Sequence, residues 1–181
     1  MTNILVTKEI FSSLAARTSD KCPSWRYPIV GTNPIFFFWD FSLEYYESEG
    51  SEQLLLRLQN KYGLDVNILL LALWAGNSLG SILDQTHFES LDNAIEDWRT
   101  NIIQPLRQVR QHTKQLGSLD PTIRSSLVEM MEKIELRSEH ACQTILINQF
   151  SSLNGVEQTR DTHIAATNNL DSYLTYSNVS N

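Results

Sequence analysis

Directly after Asp65 comes the run Val66-Asn67-Ile68-Leu69-Leu70-Leu71-Ala72-Leu73-Trp74-Ala75, in which Asn67 is the single polar side chain. A helix wound from these residues is apolar on almost every side, so none of its faces can be left to water and the rest of the chain has to surround it. Asp65 is placed to cap its first turn. The unbroken apolar stretch, Ile68 to Ala75, is far shorter than the roughly 20 residues that a helix needs to cross a bilayer. The segment is therefore expected to be the central helix of a soluble bundle, enclosed by other helices.

The flanking segments supply suitable neighbours. Asn33-Pro34 reads as an N-cap followed by proline in the first helical position, where its missing N–H costs nothing, and the helix should run to about Glu47. Phe37, Phe41 and Tyr45 form its inner stripe, flanked by Phe38 and Leu43, while Asp40, Glu44 and Glu47 take the wet side. A second helix, Ser51 to Tyr62, turns Leu54, Leu55 and Leu58 inward, and Gly63 suits its C-terminal cap. From about Phe88, the residues Leu91, Ile95, Trp98, Ile102, Leu106, Val109 and Leu116 recur at helical spacing, and Pro105 should kink or split this stretch. Asp120-Pro121 repeats the cap-then-proline start. Ile123, Leu127, Met130, Met131, Ile134, Ala141, Ile145, Leu146 and Phe150 then support a long helix to about Ser152.

The ends read differently. Residues 1–33 form an N-terminal arm or linker, in which a short helix from Thr7 to Ala16 precedes a loop interrupted by Pro23, Pro28 and Pro34. Residues 153–181 are rich in Asn, Ser and Thr and read as a flexible, disordered tail. The expectation is an all-α protein: a compact bundle of about five helices over residues 34–152, between an arm and a tail.

Composition narrows the function classes. A formal net charge of −7 makes a coat for nucleic acid or an anionic membrane unfavourable. Cys22 and Cys142 are too isolated for a disulfide framework or a zinc site, and no secretory leader pattern opens the chain. A cytoplasmic location is expected.

Trp39-Asp40-Phe41-Ser42, then Leu56-Arg57-Leu58-Gln59 with Tyr62-Gly63, then Asp65-Val66-Asn67-Ile68-Leu69-Leu70 with Trp74, occur in that order, followed by Trp98 and Pro105-Leu106-Arg107-Gln108-Val109-Arg110. Over Trp39 to Lys114 the chain resembles an uncharacterised family of short all-helical proteobacterial proteins, labelled conserved hypothetical. The resemblance implies a helical fold and carries no activity with it.

Four groups of residues invite a functional reading. Arg107, Arg110 and Lys114 stand at i, i+3 and i+7, in a stretch from Arg99 to Gly117 without Asp or Glu. This stripe suits an acidic partner, a phosphate or, least in keeping with the acidic whole, a nucleic-acid backbone; the alternative is a solvated face paired with Glu44, Glu47, Glu49 and Glu52 of the first helix. Asn67, with Trp74 and Trp98, would line an apolar pocket between the central and fourth helices, with Arg107 meeting an anion; the alternative is an asparagine that fixes helix register. Glu129, Glu132, Glu135 and Glu139 with His140 invite comparison with di-metal bundles. No Glu stands three residues before any histidine, so a metal site is not expected. Asp92, Glu96 and Asp97 faintly resemble a magnesium–diphosphate helix without the second acidic cluster such sites require.

No glycine-rich phosphate loop, nucleophile elbow or catalytic triad spacing is present. The expected function is protein binding, adaptor-like and without catalysis or cofactor, through Arg107, Arg110 and Lys114 or through the aromatic N-terminal region. The alternative is a small-molecule or enzymatic site around Asn67, Trp74 and Trp98.

Overall fold

The structure is a computed structural model that describes residues 34–179, with side chains from 37 to 177. The Thr7–Ala16 helix, the arm's prolines, Cys22 and the Asn33 cap lie outside the described residues. Helix α1 spans Pro34–Glu47 and α2 Ser51–Tyr62. Gly50 and Gly63 flank α2 in the left-handed region, at φ 74° and 69°, where a side chain would be strained. The central helix α3 spans Val66–Leu79 and is buried continuously from Val66 to Gly76. Phe38, fully buried on α1, packs on Trp74 with ring centroids 5.4 Å apart, and Phe150 meets the same indole at 6.0 Å.

Helix α4 spans Gln85–Trp98, and a π-helical turn, Arg99–Ile103, joins it to α5, Gln104–Gln115. The break expected near Pro105 thus takes the form of a π turn just before it. Proline near the start of α5 needs no N–H partner, and the wider turn rotates α5 relative to α4. Helix α6 spans Pro121–Ser152, and Asp120 accepts the N–H groups of Thr122 (2.9 Å) and Ile123 (3.3 Å). Two short strands, β1 at Ser81–Ile82 and β2 at Glu157–Gln158, pair antiparallel.

The all-α expectation holds, but the tail expectation does not extend to its described part. Thr162–Val179 is a helix, α7, and its contact with α3 is the most extensive between any two elements. Ala165, Ala166, Leu170, Tyr173 and Leu174 are buried. Gly76 of α3 lies so close to Ala166 that a Cβ there would overlap the Ala166 backbone, so two small residues permit a close helix crossing. Asn169, with no exposed surface, donates from Nδ2 to the carbonyls of Ala72 (3.0 Å) and Ser81 (2.9 Å), and its Oδ1 accepts the Leu83 N–H (2.7 Å). The polar composition that suggested a tail hides a core helix built from alanines, tyrosines and a fully bonded amide.

Candidate functional site

The site begins at the N-cap of α3. Asp65 Oδ1 accepts the backbone N–H groups of Asn67 (2.8 Å) and Ile68 (3.3 Å), and the Asp65 N–H donates to Tyr173 Oη (3.0 Å). Oδ2 accepts no hydrogen bond among the described residues; a guanidinium nitrogen of Arg99 lies 3.6 Å away. Arg99 is committed elsewhere. One arm donates to Asp92 Oδ1 at 2.6 Å and the other binds Glu96, while Asp92 Oδ2 accepts from Tyr176 Oη at 3.0 Å.

Asn67 connects this cluster to a second one. Its Nδ2 donates to Glu139 Oε2 (2.6 Å), Arg107 donates to Glu139 Oε1 (2.6 Å), and Gln143 Nε2 donates to Asn67 Oδ1 (3.1 Å). Asn67 therefore touches both Asp65 and Glu139, and it draws the α3 N-terminus, α5 and α6 to one point. These side chains, Gln143 excepted, border a cleft of about 570 Å³ between the end of α2, the start of α3, α4, the π turn, α5, α6 and α7.

The electrostatics follow from burial. The Asp65 carboxyl is pushed above its ordinary range by desolvation, against the opposing charge of Arg99 and the two backbone N–H groups. Desolvation likewise raises Glu139, opposed by Arg107 and by the Asn67 amide. Burial, followed by the Asp65 charge, raises the Tyr173 phenol. The Cys142 thiol is also pushed well up by burial, which removes it as a thiolate nucleophile. His87 uses one ring nitrogen to accept the Asp84 N–H (3.0 Å) and faces the Asn154 carbonyl with the other (2.9 Å), a structural assignment. Among the described residues, no three His, Cys, Asp or Glu side chains are grouped to hold a metal ion.

The sequence candidates are dispersed. Arg107, Arg110 and Lys114 all face α6, where they bind Glu139 (2.6 Å), Glu135 (2.6 Å) and Glu132 (2.9 Å). The partners are thus the α6 glutamates, not the acidic first helix. Asn67 lines the cleft, but Trp74 sits in the core and Trp98 donates from Nε1 to the Ser138 carbonyl at 3.0 Å. The pocket around Asn67 is polar, and neither tryptophan lines it. Arg99, Tyr173 and Tyr176 did not stand out as site residues in the sequence, and Asp92 entered only through the comparison with a magnesium–diphosphate helix. The i, i+4, i+7 spacing of Asp92, Glu96 and Arg99 signals a one-face ion cluster; the tyrosines carry no such signal.

The model of a family described as a protein of unknown function (DUF2390) matches residues 37–146. That span contains the Trp39–Lys114 stretch carrying the resemblance, and excludes α7. Neither a curated protein nor a solved structure matches the chain.

Proposed function

We propose, for a chain that belongs to the family DUF2390 of proteins of unknown function, that it is a small-molecule-binding helical module whose ligand occupies the cleft at the N-terminus of α3. One observation carries this reading. Asp65, Asp92, Arg99, Arg107 and Glu139, paired among themselves, also border an open volume of about 570 Å³. A cleft of this size falls within the range of ordinary ligand sites. Binding without turnover fits best, since Cys142 and His87 are both occupied by structural roles. A cytoplasmic setting goes with this reading, supported by the free, buried thiol of Cys142.

The test is native mass spectrometry of the protein purified gently from its own host. A stoichiometric small-molecule adduct is expected, and it should vanish in Gln104→Trp, which fills the cleft mouth from an exposed position. No adduct, or one that survives this variant, would contradict the reading.

Protein binding is a second reading, favoured by a separate observation. Ile123, Met130 and Ile134, each at least half exposed, lie on the outward face of α6 with half-buried Leu127 between them, at spacings of four, three and four. This spacing suits the seam of a partner's amphipathic helix. The Arg107, Arg110 and Lys114 stripe suits an acidic partner less well, because each cation would have to exchange an intramolecular carboxylate. In pull-downs from the host, Met130→Lys with Ile134→Lys should lose a partner that Arg110→Ala retains; the opposite pattern would return the assignment to the stripe.

A further inference from the structure

Resting on the cleft reading, a deeper inference concerns the class of ligand. Four carboxylates border the cleft, Asp65, Asp92, Glu96 and Glu139, against two guanidiniums, Arg99 and Arg107. Both arms of Arg99 are already engaged with carboxylates, and Arg107 is held by Glu139. The remaining N–H groups of Arg107 and the amides of Gln59, Asn60, Gln104 and Gln111 are also donors at the cleft, so what disfavours an incoming anion is the net excess of two carboxylates. Acceptors are in surplus: Asp65 Oδ2 receives no hydrogen bond among the described residues, and its nearest cation is 3.6 Å away. Each oxygen of Glu139 accepts one hydrogen bond from the described residues, whereas a carboxylate oxygen can accept two. Behind Asn67, Gln143 is only 3% exposed, and its Oε1 has no hydrogen-bond partner among the described residues.

We propose that the cleft binds a small organic cation, an amine or guanidine, whose charged group is seated against Asp65 Oδ2 beside Glu139. An ammonium or guanidinium carries donors and no acceptor, so it supplies N–H groups to carboxylate oxygens with acceptor capacity left and positive charge to an excess of two negatives. Tyr173 and Tyr176 line the same cleft, their rings stacked with centroids 6.3 Å apart.

The probes are agmatine and putrescine, set against 1,4-butanediol as the neutral isostere, glutarate as the anion and magnesium chloride as the inorganic cation. Isothermal titration on the full chain should show binding of the two amines, with butanediol and glutarate weaker by roughly a hundredfold. Asp65→Asn keeps a capping side chain and removes the charge, and Glu139→Gln is its counterpart. Each should weaken amine binding by about tenfold or more, the scale of a charge-assisted hydrogen bond. Glutarate or butanediol binding in competition with the natural adduct would overturn the cation class and leave the cleft reading standing. Magnesium binding alone would replace the organic cation with a metal. Silence of every probe, in protein that also carries no adduct in native mass spectrometry, would overturn both.

Discussion

Asp65 carries two duties that pull against each other. As the N-cap of α3 it satisfies two backbone N–H groups, and as a buried carboxylate it is charged where charge is disfavoured. Asp65→Ala should cost about 1–2 kcal/mol through the lost cap, read as a lower urea midpoint, whereas Asp65→Asn should stay near the wild type. The two raised carboxyls, Asp65 and Glu139, give a pH dependence of definite sign. The folded chain holds these protons more tightly than the unfolded one. Their contribution to stability is therefore greatest when both are protonated, and it is lost as pH rises from the ordinary carboxylate range through the raised values. Urea midpoints across about pH 4 to pH 7 should show a shallower decline for Asp65→Asn than for the wild type; parallel curves would contradict the assignment. In the sequence, Asp65 is legible as a cap because it precedes an apolar run. Its second role is not, since Arg99, Tyr173 and Glu139 approach it from three other helices.

Among the helices, α3 and α7 form the closest pair, and the joint depends on Gly76 against Ala166. Gly76→Ala should destabilise by about 1–3 kcal/mol, the cost of overpacking where only backbone can yield, while Gly117→Ala, with open space around its Cβ position, should change little. A chain ending at residue 160 should lose its cooperative thermal transition and bind a hydrophobic dye, because Leu170, Tyr173 and Leu174 would no longer cover α3. A cooperative transition in that truncation would show α7 to be dispensable. The boundaries of α1, α2 and α6 were legible because caps, prolines and apolar periodicity agree there. Helix α7 was not, because alanine and a satisfied Asn169 can fill a core position without the periodic large apolars that mark a core face. The basic stripe of α5 was legible as a stripe. Its partners were not, since pairing with α6 depends on how the hairpin closes.

At the scale of the whole molecule, charge is divided between a hairpin seam and a cleft. The seam pairs Arg107, Arg110 and Lys114 with Glu139, Glu135 and Glu132, and it includes groups as exposed as Lys114 and Glu132. Lys114→Ala should therefore cost under about 0.5 kcal/mol and become silent at high salt, whereas Arg107→Ala should cost more because it leaves Glu139 buried without its cation. The cleft shares the Arg107–Glu139 pair with the seam and differs in that its ion pairs border open space. No helix of the described residues is long and apolar enough to cross a membrane, and the family match carries no activity, so the account stands on whether that space holds a ligand. The most direct measurement is an amide-resolved NMR titration of the full-length, isotope-labelled protein with agmatine. The account predicts saturable shifts centred on Asp65, Asn67, Arg99, Arg107 and Tyr173, absent in Gln104→Trp. Shifts confined to the outward face of α6, or none at saturating agmatine, would contradict it.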